Sequence, residues 1–209
     1  MAKRRWIAAV ALLALAGCAR PGHAAQAPGV STDGMVRTAG CATATSPPAM
    51  SIDGTPQPAN QNYLDGIAGR LEPYAQAHFA DVYSGLELRS AQDRIRVYRK
   101  PSASFDAWVL GQFTTDCVEL ADARFAKAEL SALVDRVAAD FGYWRAKQVA
   151  VNTVSAKVDG SGVEVGTTDV ARATRELPRR YGTSIPITVV YAAPANFQPG
   201  IAVTSPTPR

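Results

Sequence analysis

Residues 149–166, VAVNTVSAKVDGSGVEVG, contain the clearest structural pattern of this chain. Two runs rich in β-branched residues, 149–158 and 163–166, flank the tetrapeptide Asp159-Gly160-Ser161-Gly162. β-Branched residues favour strands, and Asp and Gly readily adopt the backbone conformations that a tight turn requires. The stretch therefore predicts a β-hairpin.

Helical patterns flank this hairpin on both sides. Before it, apolar residues recur at intervals of three and four over about 127–147 and would share one helix face: Leu130, Val134, Val137, Phe141 and Trp144. After it, Thr167-Thr168-Asp169 offers N-caps for a helix over about 169–180, which Gly182 would end. A β-branched run at 186–191 then predicts a third strand, parallel to the second after a right-handed crossover.

The same order of elements occurs once before along the chain. The predicted helix, two strands, helix and strand cover about 60–79, 82–89, 94–100, 102–111 and 115–120. The first helix would bury a face made of Tyr63, Ile67, Leu71, Tyr74 and His78. We therefore predict an α+β fold of two similar subdomains, 60–122 and 123–193, each with a small three-stranded mixed sheet.

The N-terminus has the features of an export signal. Basic residues at 3–5 precede an apolar run, 6–16, that is shorter than the roughly 20 residues needed to span a bilayer. The sequence Leu15-Ala16-Gly17-Cys18 resembles the lipobox of bacterial lipoproteins, whose cysteine receives a diacylglycerol group before cleavage. The resemblance implies a signal peptide at 1–17 and a lipid anchor on Cys18. An ordinary secretory signal cut after His23, or a buried helix, are the alternatives.

Lipidation would place the chain on the extracytoplasmic face of the bacterial cell membrane, held there by its N-terminal anchor. Residues 18–59 are rich in Ala, Gly, Pro, Thr and Ser, which predicts a flexible tether. Residues 194–209 contain four prolines and predict a mobile tail. The architecture is therefore that of a domain standing away from a membrane.

Charge argues against nucleic acid as a partner. The chain has 22 Lys and Arg against 18 Asp and Glu, a formal net charge of +4. Three of the basic residues lie in the signal peptide, so the mature chain has a net charge of about +1. A nucleic-acid-binding domain is usually far more basic.

Cysteine and histidine usage predicts a disulfide and no metal site. With Cys18 lipidated, Cys41 and Cys117 remain, and two cysteines outside the cytoplasm commonly pair; two free buried thiols are the alternative. The only histidines, His23 and His78, are not at ligand spacing from a cysteine, so no metal is expected.

Motifs of catalysis and of cofactor binding are also missing. No nucleophile elbow, phosphate loop or dinucleotide fingerprint occurs, so we expect neither a cofactor nor an enzyme with catalytic residues. Carboxylate pairs remain to be placed in space, namely Glu119 with Asp122 and Glu164 with Asp169. A hydrolase with an unrecognised site is therefore kept as an alternative.

Residues 79–100, FADVYSGLELRSAQDRIRVYRK, resemble part of the propeptides of the alpha-lytic protease and streptogrisin family. Residues 129–137, the hairpin at 154–165 and the helix that follows it are similar to the second half of those propeptides. Such propeptides assist the folding of their serine protease and inhibit it, partly through a C-terminal segment in the active-site cleft. Since no protease domain follows here, the resemblance implies an envelope protein that acts on a partner in trans, or one that has kept only the fold.

A second interpretation comes from the strand Arg94-Ile-Arg-Val-Tyr-Arg-Lys100. Alternation places four side chains on one face of the strand: Arg94, Arg96, Tyr98 and Lys100. Such a basic surface could contact an anionic partner, which would make the chain an interaction protein for wall polymer, lipid or another envelope protein. The alternative is a solvated strand face whose charges discourage edge pairing.

Overall fold

The structure, a computed structural model, describes residues 35–194. The predicted signal peptide, Cys18 and residues 195–209 of the predicted tail lie outside the described residues. The strands are β1 (Val36–Arg37), β2 (Ala49–Ile52), β3 (Thr55–Pro58), β4 (Tyr83–Arg89), β5 (Arg94–Arg99), β6 (Val118–Asp122), β7 (Val151–Ala156), β8 (Val163–Thr167) and β9 (Ile187–Tyr191). The α-helices are α1 (Gln61–His78), α2 (Ala103–Gln112), α3 (Lys127–Ala139), α4 (Phe141–Ala146) and α5 (Val170–Tyr181).

The fold class is α+β, as predicted, and the strands form small sheets. The first sheet has the order β1-β6-β5-β4, the second has the order β7-β8-β9, and β2 and β3 form a separate hairpin. In both main sheets a hairpin, β4–β5 or β7–β8, is followed by a crossover helix. The strand after that helix is parallel to the second hairpin strand, so the repeat predicted from the sequence is present.

Each main sheet buries one face under helices and has its own apolar core. The largest buried side chains of the first core are Tyr83, Phe105, Leu64, Ile67, Leu71, Ile95 and Leu120. The second core is centred on Leu130, Val137, Trp144, Val163, Val165, Ala173 and Leu177. Among residues 35–194, no helix is long and apolar enough to cross a lipid bilayer.

The turn of the β7–β8 hairpin joins the two halves of the domain. Phe125 N donates to Gly160 O at 3.1 Å, and Gly160 has a φ of +69°. A Cβ at Gly160 would lie 2.5 Å from Ser84 Oγ and 2.7 Å from Phe125 O. Gly85 of β4 is as close to the turn, since a Cβ there would lie 2.6 Å from Val158 O. The glycines thus allow the second hairpin to lie directly on the first subdomain.

The flexible tether predicted over 18–59 needs a correction from Val36 onward. Val36 and Arg37 pair antiparallel with β6, so the first sheet has four strands where three were expected. Thr38 continues the contact, because its N donates to Val118 O at 3.1 Å and its Oγ1 accepts from Val118 N at 2.9 Å. Composition favours disorder here, but pairing with β6 supplies partners for these backbone groups.

One predicted helix is divided in two. The pattern predicted a continuous helix over 127–147, whereas α3 ends at Ala139 and α4 begins at Phe141. The Asp140 carboxylate accepts from Arg180 Nε at 2.7 Å and from Tyr181 Oη at 2.8 Å. Hydrogen bonds from these two side chains lower the pKa of Asp140 to about 2. The break between α3 and α4 therefore lies at the residue that contacts α5.

The buried face of α1 also differs from its predicted composition. It contains Leu64, Ile67, Leu71 and Ala75, so only two of the five predicted members are on it. The tyrosines Tyr63 and Tyr74 are 51% and 43% exposed. Several apolar and aromatic side chains in one helix allow two overlapping periodicities, and packing on the sheet selects between them.

Candidate functional site

Arg94 and Arg96 lie on the outer face of the first sheet, opposite the helices. Alternation along β5 buries Ile95, Val97 and Arg99 and leaves Arg94 and Arg96 partly exposed. The parallel register of β5 and β6 sets Arg96 directly beside Glu119. Glu119 Oε1 accepts from Arg94 Nη1 at 2.6 Å, and Oε2 accepts from Arg96 Nη2 at 3.0 Å. Two strands thus bring both arginines to one carboxylate.

A third guanidinium reaches the same carboxylate from β1. Arg37 is opposite Glu119 in the antiparallel pair, and its Nε donates to Glu119 Oε1 at 2.9 Å. We call Arg37, Arg94, Arg96 and Glu119 the arginine cluster. Glu119 is only 1% exposed. Burial by itself would raise the pKa of Glu119, but the hydrogen bonds from the three arginines outweigh it and hold the pKa below its usual value.

The other two predicted members of the basic surface have different neighbours. Tyr98 Oη donates to Glu87 Oε2 at 3.1 Å, and the Lys100 Nζ donates to Glu129 Oε2 at 3.1 Å. Glu129 also accepts from Ala126 N at 2.7 Å at the start of α3. Lys100 therefore connects the two subdomains, and the predicted four-residue surface is divided between separate carboxylates.

Arg99 was not singled out from the sequence, although alternation placed it on the core face. It is 4% exposed and donates to both oxygens of Asp106, at 2.6 Å and 2.9 Å. It also donates to Asp122. A buried arginine requires charged or hydrogen-bonding partners. The inward position of Arg99 in the alternation of β5 was therefore the sequence feature that indicated acidic groups nearby. Arg99 is thus a buried guanidinium between two less buried carboxylates, and its bond to Asp106 holds the first turns of α2 against the sheet.

The disulfide predicted from the cysteine count is found in the structure. The sulfur atoms of Cys41 and Cys117 are 2.11 Å apart, and the two residues are separated by 76 positions. Cys117 directly precedes β6, while Cys41 follows β1. The bond therefore holds the segment that brings Arg37 to the arginine cluster.

The members of the carboxylate pairs considered from the sequence have different roles in the structure. Glu119 is on the outer face of β6, whereas Asp122 contacts Arg99 of the core face. Asp169 caps α5 by accepting from Arg172 N at 3.1 Å, and Glu164 lies within β8. In the part of the chain that the structure describes, no three His, Cys, Asp or Glu side chains are grouped to hold a metal.

The edge of the second sheet is a second surface of interest. Between residues 35 and 194, β9 pairs only with β8. Ala192 N donates to Thr167 O and Pro186 O accepts from Val163 N, so the even-numbered residues face β8. The backbone groups of Ile187, Val189 and Tyr191 therefore point to the open edge. Tyr191 is 71% exposed.

No family model matches this chain, and no curated protein and no solved structure is significantly similar to it. Its function has to be inferred from the geometry of its own surfaces.

Proposed function

We propose that this chain is a binding protein of the bacterial envelope, anchored through Cys18, that engages a protein partner in trans along β9. The open edge of β9 carries the proposal. Its five residues, ITVVY, have no charge, and their pairing with β8 is regular. An extended segment of a partner can add to such an edge through main-chain hydrogen bonds.

The other edges of the two main sheets are protected against such pairing. β1 has only two residues, and β4 has a register shift between Tyr83 and Gly85 as well as charged side chains. β7 has a register shift between Val151 and Thr153. Short strands, bulges and charges all discourage strand addition. Within residues 35–194, β9 is the one edge of the main sheets without these features.

A secreted serine protease is the first partner to test. The resemblance to protease propeptides names this class, and strand addition is a mode by which a folded domain can bind a protease without a catalytic group of its own. The uncharged edge also fits a partner that contributes backbone atoms more than charge. An envelope protein of another class would use the same edge.

Tyr191 allows the edge to be tested with a matched pair of variants. Tyr191→Pro removes an N–H that points to the open edge, while Tyr191→Ala removes the same exposed ring and keeps the N–H. We expect wild type and Tyr191→Ala to bind and inhibit a secreted serine protease of the same bacterium, and Tyr191→Pro to bind about tenfold more weakly or worse. Thermal unfolding of both variants controls for folding.

Two results would refute this proposal. One is the absence of inhibition and of stable binding for every secreted serine protease of the organism and for its envelope proteins. The other is equal binding by Tyr191→Pro and Tyr191→Ala, which would place the contact elsewhere.

The anchor is tested separately by palmitate labelling in the producing bacterium. We expect the full-length chain to be labelled and Cys18→Ser to be unlabelled, because the thiol of Cys18 is the attachment point that the lipobox implies. Cys41→Ser is the control, since it replaces a disulfide-bonded cysteine outside the lipobox and should be labelled like wild type. Labelling of Cys18→Ser would contradict the anchor.

A further inference from the structure

We propose that Arg94 and Arg96, held in place by Glu119, form a binding site for a phosphate group. The site is independent of β9 and goes beyond the proposed protein partner. Its ligand class is a phosphate monoester or diester, the chemistry that planar guanidinium groups recognise best.

Charge balance is the first argument. Arg94 and Arg96 bring two positive charges to a single carboxylate, that of Glu119. The Glu119 side chain is 1% exposed, whereas those of Arg94 and Arg96 are 27% and 18% exposed. The negative charge is therefore inside the cluster, and the positive charge is what an approaching ligand meets.

The second argument is that the donors are already ordered. Arg94 is fixed at two atoms, since Nη1 donates to Glu119 and Nε donates to Gln92 O at 3.1 Å. Its Nη2 has no hydrogen-bond partner among residues 35–194. Arg96 is fixed by two bonds to Glu119 Oε2, at 3.0 Å and 3.3 Å. Long side chains that are immobilised before binding lose little entropy when a ligand arrives.

The third argument is that arginines on two neighbouring strands lie opposite each other. The antiparallel register of β4 and β5 sets Arg89 directly opposite Arg94. Two positive charges at such a position weaken a sheet. Arg89 is also bonded to Glu87 at 3.2 Å, and Arg37 reaches the cluster from β1. Three arginines from two strands thus meet at Glu119, and Arg89, paired with Glu87, adds a fourth positive charge on the neighbouring strand, so a bound anion would relieve their repulsion.

The experiment measures binding of inorganic phosphate to the full-length chain at fixed, low ionic strength by calorimetry. We expect saturable binding by wild type and a loss of about tenfold or more in Arg94→Gln with Arg96→Gln, which removes two charge-assisted contacts. The matched control is Arg175→Gln with Arg179→Gln on α5, which removes the same charge and should lose less than about twofold.

The double variant leaves Glu119 buried without two of its partners, so it could fail to fold. A triple variant that adds Glu119→Gln removes the orphaned charge and should fold without binding phosphate. Absence of saturable binding by wild type overturns the proposal. Equal loss in the α5 control, or undiminished binding by the folded triple variant, also overturns it.

A second arm identifies the source of the phosphate group. Vesicles of phosphatidylglycerol and of phosphatidylcholine are offered to the Cys18→Ser chain, so that no lipid anchor contributes. Preference for the anionic vesicles, lost in the triple variant, assigns a lipid headgroup. Phosphate binding without that preference assigns a free or polymer-borne phosphate. Displacement of phosphate by an equal concentration of an acidic peptide overturns the phosphate assignment. Tyr191→Pro should leave phosphate binding unchanged, so the two proposals fail separately.

Discussion

The two main sheets have the same connectivity but present different surfaces, a charged face in the first and an uncharged strand edge in the second. In each, an antiparallel hairpin is followed by a crossover helix and a strand parallel to the second. The outer face of the first sheet carries the arginine cluster, and β1 with the disulfide extends this sheet by a fourth strand. Within residues 35–194 the second sheet has three strands, and its edge strand β9 pairs with β8 alone. Local pattern thus specifies the repeat, and β1, which lies outside the repeat, distinguishes the first sheet from the second.

Removal of the disulfide should cause the largest loss of stability, because the bond holds the fourth strand that distinguishes the first sheet from the second. Cys41→Ala with Cys117→Ala removes the covalent attachment of β1. We expect the free energy of unfolding to fall by about 4 kcal/mol, because the bond closes a long loop in the unfolded chain. Urea unfolding measures the change. Reductant should lower the stability of wild type by a similar amount and leave the variant unchanged; a wild type insensitive to reductant would contradict this.

The next effect tests the contact between the two halves. Gly160→Ala places a Cβ against Ser84 Oγ and Phe125 O in a left-handed conformation. We expect a loss of about 2–4 kcal/mol from strain and overpacking together. Gly54→Ala is the matched control, since its φ is +79° and nothing lies within 4 Å of the added Cβ. We expect that control to lose about 1–2 kcal/mol, the cost of the backbone conformation without overpacking.

Thermal and urea unfolding of these two variants measure the difference. Equal losses in Gly160→Ala and Gly54→Ala would mean that backbone conformation alone is responsible. The hairpin turn would then contribute nothing to the association of the two halves.

The smallest of the three effects concerns the arginine cluster. We expect Glu119→Gln to lose about 2 kcal/mol at pH 7, because half-buried guanidinium groups lose their charged partner. The pKa of Glu119 is lower in the folded than in the unfolded chain. Its stabilisation is therefore complete above the unfolded pKa of about 4.3 and is lost as the pH falls through the folded value.

Unfolding free energies at pH 7 and pH 3 separate this contribution from the rest. Wild type should lose more stability on acidification than Glu119→Gln, so the two should become closer in stability at pH 3. Glu176→Gln removes an exposed ion pair with Arg179 and should cost only a few tenths of a kcal/mol at either pH. Equal acid sensitivity of wild type and Glu119→Gln would show that the carboxylate is not stabilised by the cluster.

Several features of the fold could be predicted because they depend on neighbouring residues. The Asp159–Gly162 turn and the Asp169 cap follow from conformational preferences of a few residues. The alternation of β5 likewise predicted that Arg94 and Arg96 share an outer face. The partner of these arginines could not be predicted, since Glu119 is more than 20 positions away and reaches them only through the strand register.

Local periodicity and composition were enough to predict the order of helices and strands, the α+β class and the cysteines available to pair. Tertiary structure decided that Val36–Arg37 joins the first sheet, that Asp140 separates two helices and that one buried carboxylate holds three arginines. Each of these depends on groups distant in sequence, whose hydrogen-bonding partners become available only when the elements have packed.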